Sequence, residues 1–202
     1  MWNEPRAVIL STFSDAFLNT RARMQRVSDA KFFNGWVGGF LGSHLSMKMS
    51  PHSPLEIGDR VFVTICSATC SATFQAIAVA HSSLETTLQL ETQPNYGPAL
   101  EDVRYCCDAT GGALIVGARR HTLQIGDISE KGLGGYVDAE VPRGTQVGFE
   151  IEGIYGKVGG LAEVRYCRAA PGETNYRIGL LITQVGRIDQ ARWTRMLGAQ
   201  AA

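Results

Sequence analysis

Apolar and polar residues alternate along short runs between residues 55 and 183, and this pattern constrains the fold more than any other feature. The alternation is clearest over 61–65, 74–80 and 84–91. A side-chain period of two places alternate residues on opposite faces of a β-strand, so each run predicts a strand with one buried face. Glycine, at 23 of 202 residues, exceeds the ~7% typical of globular proteins and punctuates these runs, as tight turns require. The sequence therefore predicts an all-β fold.

Two blocks of predicted strands follow one another along the chain. The first lies in 55–98 and ends in the turn-rich segment 93–98. The candidate strands of the second block are 103–107, 113–116, 122–128, 134–137, 145–152, 160–168 and 176–183. Because short strands at this spacing favour closed or nearly closed barrels, we expect two small β-barrels, over 55–98 and 99–202. An apolar edge within 188–197 predicts a C-terminal helix that packs on the second barrel.

The first fifty residues differ in pattern. Residues 7–31 are rich in Ala, Leu, Arg and Met, and we expect them to form most of a helical extension over 1–50. Residues 32–42 are apolar, aromatic and glycine-rich, but they are too few to span a bilayer. We expect this segment to be a packing segment or, together with the helix, the surface that binds a protein partner. Contact with a membrane surface is the alternative.

Charge and cysteine usage narrow the class of protein. Lysine plus arginine number 19, as do aspartate plus glutamate, so the formal net charge is zero. A neutral chain has no overall attraction to nucleic acid, which argues against a nucleic-acid polymer as partner. Residues 1–10 lack the apolar core of a signal peptide, so we expect a cytoplasmic protein with reduced thiols. The five cysteines lack the spacing of a zinc site, and we expect neither a metal nor a cofactor.

Signatures of catalysis are missing from the sequence. The four histidines and five cysteines stand in no motif of nucleophilic or metal-dependent catalysis. Residues 132–135 are glycine-rich but lack the Lys-Ser/Thr that completes a phosphate-binding Walker A loop. The sequence therefore predicts a protein that is not an enzyme.

The most informative segment is 127–132, Asp-Ile-Ser-Glu-Lys-Gly, where one predicted strand ends and another begins. Asp127 and Ser129 are two residues apart, so on an extended backbone they project from one face. Gly132 permits the backbone angle that a tight turn needs. Such a polar pair can exchange hydrogen bonds with a flat polar ligand such as a guanine edge. The alternative is that both side chains brace their own turn.

Asp-x-Ser-x-x-Gly at the end of a strand resembles the second motif of the PilZ family, the bacterial cyclic di-GMP receptor domains. In that family an arginine-bearing segment precedes the motif, and here Arg104 lies 23 residues before Asp127. Val-Arg-Tyr at 164–166 and Tyr-Arg-Ile-Gly-Leu at 176–180 resemble the family's closing strands. The resemblance spans about residues 100–185. It implies a PilZ-like barrel in which Asp127 and Ser129 contact a base edge, Gly132 shapes the turn and Arg104 contacts phosphate or base.

One departure from the family pattern bears on ligand binding. PilZ domains that bind cyclic di-GMP carry Arg-x-x-x-Arg, and the position of the first arginine falls here on Leu100. Arginine pairs with phosphate through two hydrogen bonds, so its loss weakens binding. Arg119 and Arg120 are reserve candidates for the missing charge.

The resemblance leaves two functions open. The first is a cyclic di-GMP-responsive signalling adaptor that acts by ligand-dependent reorientation or partner binding. The second is a degenerate relative that binds no nucleotide and serves as a protein-interaction subunit. Residues 55–61, Leu-Glu-Ile-Gly-Asp-Arg-Val, also resemble the start of the small barrel that precedes PilZ in flagellar-brake-type proteins. In that arrangement, residues 93–98 are the expected hinge.

Overall fold

The computed structural model describes residues 15–49, 55–82, 85–99, 102–107, 111–169 and 174–200. Within these ranges the chain forms one short 3₁₀ turn (Asp15–Phe17), fourteen strands and one α-helix. The chain divides into two compact units between Val103 and Arg104. Each unit is a closed β-barrel, so the predicted all-β fold with two barrels and a C-terminal helix is confirmed.

The N-terminal unit is a barrel of six strands with a seventh strand at one edge. Its strands are β1 (Arg21–Arg26), β2 (Phe32–Leu41), β3 (His44–Met49), β4 (Arg60–Cys66), β5 (Cys70–His81), β6 (Glu85–Leu90) and β7 (Asn95–Pro98). They pair in the order β4-β1-β2-β3-β6-β5-β7, and a further β4–β5 pairing closes the ring. Inward side chains such as Met24, Val37, Leu45 and Val63 are fully buried and form the core of the barrel.

The prediction of an N-terminal helical extension is wrong for the described residues. Residues 21–49 form β1, β2 and β3, and residues 1–14 lie outside the described ranges. In β1, Ala22 and Met24 are buried between exposed or half-buried polar residues, which is a period of two. Ala, Arg and Met favour helices when packing does not decide, but here burial against β2 and β4 overrides that preference.

The apolar segment 32–42 forms β2 and is only partly buried. Phe33 and Val37 face the core, whereas Phe32 is 68% exposed and Leu41 is 83% exposed. A Cβ at Gly35 would lie 2.7 Å from the sulfur of Met49, so glycine makes room for the methionines of β3. The segment therefore contributes side chains to the core of the barrel and also leaves apolar side chains at the surface.

The expected hinge at 93–98 is also corrected. Residues Asn95–Pro98 are β7, which pairs with the start of β5. Ser71 Oγ donates a hydrogen bond to the carbonyl of Pro98 at 2.8 Å, which fixes the end of this strand. This segment is therefore part of the N-terminal sheet.

The C-terminal unit is a second six-stranded barrel with a short extra strand. Its elements are β8 (Arg104–Cys106), β9 (Gly111–Val116), β10 (Arg119–Ser129), β11 (Gly132–Val137), β12 (Gln146–Gly153), β13 (Gly156–Ala169), β14 (Tyr176–Val185) and α1 (Arg187–Gln200). The strands pair in the order β11-β14-β13-β12-β9-β10-β8, and β10–β11 pairing closes the ring.

The helix α1 packs on this barrel through Trp193 and Met196, which are both buried. Trp193 Nε1 donates to the carbonyl of Ser129 at 3.1 Å, which fixes α1 to the end of β10. The five cysteines are free thiols. Across the described ranges, no helix has the length and apolar character needed to cross a membrane.

Candidate ligand site on the C-terminal barrel

The predicted motif forms the hairpin between β10 and β11. Glu130 and Lys131 are its two loop residues, and Ser129 pairs with Gly132 across the turn. Behind the turn, Ile128 pairs with Leu133, and both side chains are fully buried in the barrel core. Since neighbouring residues of a strand alternate in direction, Asp127 and Ser129 project from the opposite, outer face.

A β-bulge determines this orientation. The register of β10 against β11 shifts between Ile125 and Asp127, so Gly126 is the extra residue. Ile125 and Ile128 are both buried core residues even though they are three positions apart. In a regular strand Asp127 would share the face of Ile125 and enter the core, and the bulge turns its carboxylate outward instead.

Asp127 is the centre of a cluster of charged groups. Arg104 Nη1 on β8 donates to Oδ1 of Asp127, and Arg177 Nη2 on β14 donates to Oδ2. The Asp127 side chain is 3% exposed, whereas Arg104 is 18% and Arg177 is 29% exposed. The carboxylate is thus covered by two guanidinium groups that both reach the surface. The cluster thus brings two guanidinium groups to one carboxylate.

Arg177 is held by two further contacts. Its Nη1 donates to the carbonyl of Gly135 at 2.9 Å, and its guanidinium lies 5.2 Å from the centre of the Tyr136 ring. Burial is the largest single effect and acts to lower the pKa of Arg177, but the charge and hydrogen bond of Asp127, together with the nearby Tyr166 and Tyr136, raise the pKa overall. The side chain is therefore a permanently charged group in a fixed orientation.

Glycines make room for this cluster on the outer face. Gly134 pairs with Asp127 on one side and with Gly179 on the other. A Cβ at Gly134 would lie 2.7 Å from Oδ2 of Asp127 and 2.9 Å from Nη2 of Arg177. A Cβ at Gly179 would collide with the ring of Tyr166. The charged groups and the Tyr166 ring therefore lie close against the strands.

Ser129 and Gly132 have local structural roles. Ser129 is fully buried, and its Oγ donates to the carbonyl of Gly132 at 3.3 Å. Gly132 is not among the glycines with a positive φ, so the predicted reason for this glycine is wrong. Its Cβ would collide with the carbonyl oxygen of Leu180 on β14, so the residue must be glycine because the strands approach closely. A contact of Ser129 with a base edge stays a prediction.

The reserve candidates Arg119 and Arg120 lie at the other end of β10. Arg120 forms an exposed ion pair with Glu150 at 2.8 Å, and its hydrogen bond to Glu150 is the main reason why the pKa of that carboxyl is lowered. Asp127 lies seven positions after Arg120, which is roughly 23 Å along a strand at ~3.3 Å per residue. These arginines and the Asp127 cluster are thus separate, and Leu100 lies outside the described residues.

Sequence reasoning missed Arg177, Tyr136 and Gly134. The segment Tyr176–Leu180 was noted only as a closing strand, and nothing in its spacing links it to Asp127, fifty residues earlier. The signal that could have found it is the pair of glycines, Gly134 and Gly179, in two strands predicted to close one barrel. Glycines at neighbouring positions of adjacent strands indicate that another side chain or a ligand approaches the backbone closely.

Comparison with known proteins gives structural neighbours only. No family model and no curated protein matches the chain. The inhibitor of motility MotI/DgrA from Bacillus subtilis is 11% identical, with a TM-score of 0.45 over 91% of this chain and 97% of that one. The complex of K. pneumonia MrkH with c-di-GMP is 14% identical, with a TM-score of 0.44 over 89% and 85%. Escherichia coli YcgR in complex with c-di-GMP is 11% identical, with a TM-score of 0.43 over 96% and 88%.

A PilZ domain is among these neighbours. It is that of Escherichia coli YcgR with c-di-GMP, 13% identical, with a TM-score of 0.42 over 50% of this chain and 90% of that one. The domain named there is the one that the sequence motif resembles. At these identities and TM-scores the likeness assigns no role to any residue, so the chemistry of the site has to come from the Asp127 cluster itself.

Proposed function

We propose that the chain is a regulatory protein of PilZ type whose C-terminal barrel binds cyclic di-GMP at the Asp127 cluster. The observation that supports this most is the ion pair between Arg104 and Asp127. It places the arginine and the first residue of the Asp-x-Ser-x-x-Gly motif in direct contact, although 23 positions separate them in the sequence.

The cluster has the charge and donors that a phosphodiester requires. Each phosphodiester of the dinucleotide carries one negative charge, which the guanidinium groups of Arg104 and Arg177 attract. A guanidinium has five N–H donors and pairs with phosphate oxygens in a forked geometry. Both guanidinium groups reach the surface, since Arg104 is 18% exposed and Arg177 is 29% exposed. In this arrangement the first role of Asp127 is to orient Arg104 through their ion pair. Contact of the carboxylate with a guanine edge requires a guanidinium to move aside, since the two arginines leave the Asp127 side chain only 3% exposed.

Calorimetric titration of the full chain with cyclic di-GMP tests this proposal. We expect saturable binding that weakens at least about tenfold in Arg104→Gln, because a charge-assisted hydrogen bond contributes roughly 1.5–3 kcal/mol. Arg120→Gln is the matched control, since it removes the same charge from the exposed pair with Glu150. Equal affinity for wild type and Arg104→Gln would contradict the proposal.

A second candidate function is a protein-interaction subunit that needs no nucleotide. The burial of Asp127 and Ser129, and their hydrogen bonds within the protein, favour it. The surface for such a partner would include Phe32 and Leu41, the exposed apolar ends of β2. A wild-type protein that is folded by circular dichroism and gives no heat with cyclic di-GMP would favour this function over the first.

A further inference from the structure

We propose that Arg177 is a second anion-binding residue of this site and contacts a phosphate of the ligand. The inference rests on the proposed function, because it names a further ligand contact in the same cluster. Three features of Arg177 carry it: the charge of the cluster, the fixed orientation of the guanidinium, and its exposure beside an aromatic ring.

Asp127 pairs with two arginines rather than one. Arg104 contacts one of its carboxylate oxygens, and Arg177 contacts the other. Bringing two like charges to one carboxylate carries a Coulombic cost, because the two guanidinium groups repel each other. A bound anion lowers that cost, since it attracts both groups.

The orientation of Arg177 is already set before a ligand arrives. Its Nη2 donates to Asp127, its Nη1 donates to the carbonyl of Gly135, and its guanidinium lies over the ring of Tyr136. These contacts use two of the five N–H donors of the group, and three remain. A donor that is already immobilised loses little conformational entropy on binding. Arg177 is therefore preorganised to donate hydrogen bonds to a phosphate.

The surroundings of Arg177 also fit a nucleotide. The side chain is 29% exposed, so its outer edge can be reached from solvent. Tyr166 lies over Gly179, two residues along β14 from Arg177, and is itself partly exposed. A cationic group beside an exposed aromatic ring offers one partner for a phosphate and one for a base. The strand β14 thus contributes the part of the site that the motif on β10 does not supply.

Titration of Arg177→Gln and Arg177→Lys with cyclic di-GMP tests the inference, with Arg165→Gln as the matched control. Arg165 is an exposed arginine of β13 that pairs with Glu163 at 3.0 Å and not with Asp127. We expect wild type and Arg165→Gln to bind equally, and both Arg177 variants to bind at least about tenfold more weakly. Arg177→Lys keeps the positive charge opposite Asp127 but loses the forked donors, so it separates ligand binding from folding.

The outcomes distinguish this inference from the function on which it rests. Weaker binding in Arg177→Lys with an unchanged melting temperature supports a ligand contact, because a purely structural arginine would not alter affinity in a stable variant. Wild-type affinity in Arg177→Lys overturns the inference, while binding by the wild-type protein still supports the proposed function. If the wild-type protein does not bind cyclic di-GMP, both are wrong. If Arg177→Gln fails to fold, Arg177→Lys decides alone.

Discussion

At the scale of single residues, Asp127 joins two arginines on the outer face of the C-terminal barrel. Its carboxylate is nearly inaccessible to solvent and receives a guanidinium from each side. A buried charge is tolerated when it is paired and hydrogen-bonded, and removing one partner leaves the others uncompensated. Asp127 therefore has a structural role whether or not a ligand binds.

Replacement of Asp127 tests that structural role. We expect Asp127→Asn to lower the free energy of unfolding by about 3 kcal/mol, the low end of the range for breaking a buried pair, because both arginines can turn partly toward water. Urea unfolding followed by circular dichroism measures the change. The control is Asp138→Asn, which removes a 52% exposed carboxylate from its pair with His121 and should change stability little. Similar effects of the two variants would show that the cluster is not stabilising.

A second residue-scale prediction concerns Gly132. The Cβ of Gly132→Ala would collide with the backbone carbonyl of Leu180, which cannot move without shifting β14. We expect a loss of about 2–3 kcal/mol, in the range typical of overpacking. In Gly126→Ala the nearest atoms would lie 3.7 and 3.8 Å away, an ordinary contact, so this variant should be tolerated much better. Equal melting temperatures for the two variants would contradict the close approach of β11 and β14.

At the scale of elements, the β1–β2 hairpin shows how local side chains determine a turn. Arg26 donates to both carboxylate oxygens of Asp29, and it also donates to Asp59 at 3.0 Å. The hydrogen bond from Arg26 holds the pKa of Asp29 well below its usual range. Ala30, the next residue, has a φ of 57°, a left-handed conformation that is unfavourable for a residue with a Cβ.

The conformation of Ala30 leads to a prediction of increased stability. Ala30→Gly should raise the free energy of unfolding by roughly 0.5–1 kcal/mol, because glycine adopts a positive φ without strain. Ala169→Gly, at the exposed end of β13, is the control and should be destabilising, since the backbone there is extended. Thermal unfolding of the two variants gives the comparison. A decrease in stability in Ala30→Gly would mean that the turn has another conformation.

The elements also show what the sequence could and could not predict. The strands of 61–65 and 74–80 were predictable because apolar residues alternate over a long enough run. The strand β1 resembles a helix in the sequence because its six residues include good helix formers. Its pairing with β2 and β4, which makes it a strand, is not visible in the sequence of β1 itself.

The same limits apply to the candidate site. The Asp127 hairpin was recognisable from its motif, because glycine and polar residues mark turns locally. The bulge at Gly126 and the contact of Arg177 with Asp127 were not, since both depend on the register between strands. Register is set by how side chains pack across the whole barrel, and a single sequence does not state it.

At the scale of the whole molecule, the positive and negative charges balance. The chain has a formal net charge of zero, so no long-range field draws an anionic ligand to it. Attraction must come from groups close to the binding surface, and the Asp127 cluster provides two such arginines on one carboxylate. The N-terminal barrel instead presents exposed Phe32 and Leu41, which are suited to apolar contacts. The two barrels therefore offer different chemistry to partners.

The most direct test of the central claim is an amide NMR titration of the full chain with cyclic di-GMP. We predict that the largest shifts fall on 104–106, 126–136 and 176–179, the three segments that surround Asp127. Arg165→Gln should give the same pattern, and Arg104→Gln should require much more ligand to reach it. The absence of shifts at saturating ligand, or shifts confined to strands of the N-terminal barrel, would contradict the claim that the Asp127 cluster is the ligand site.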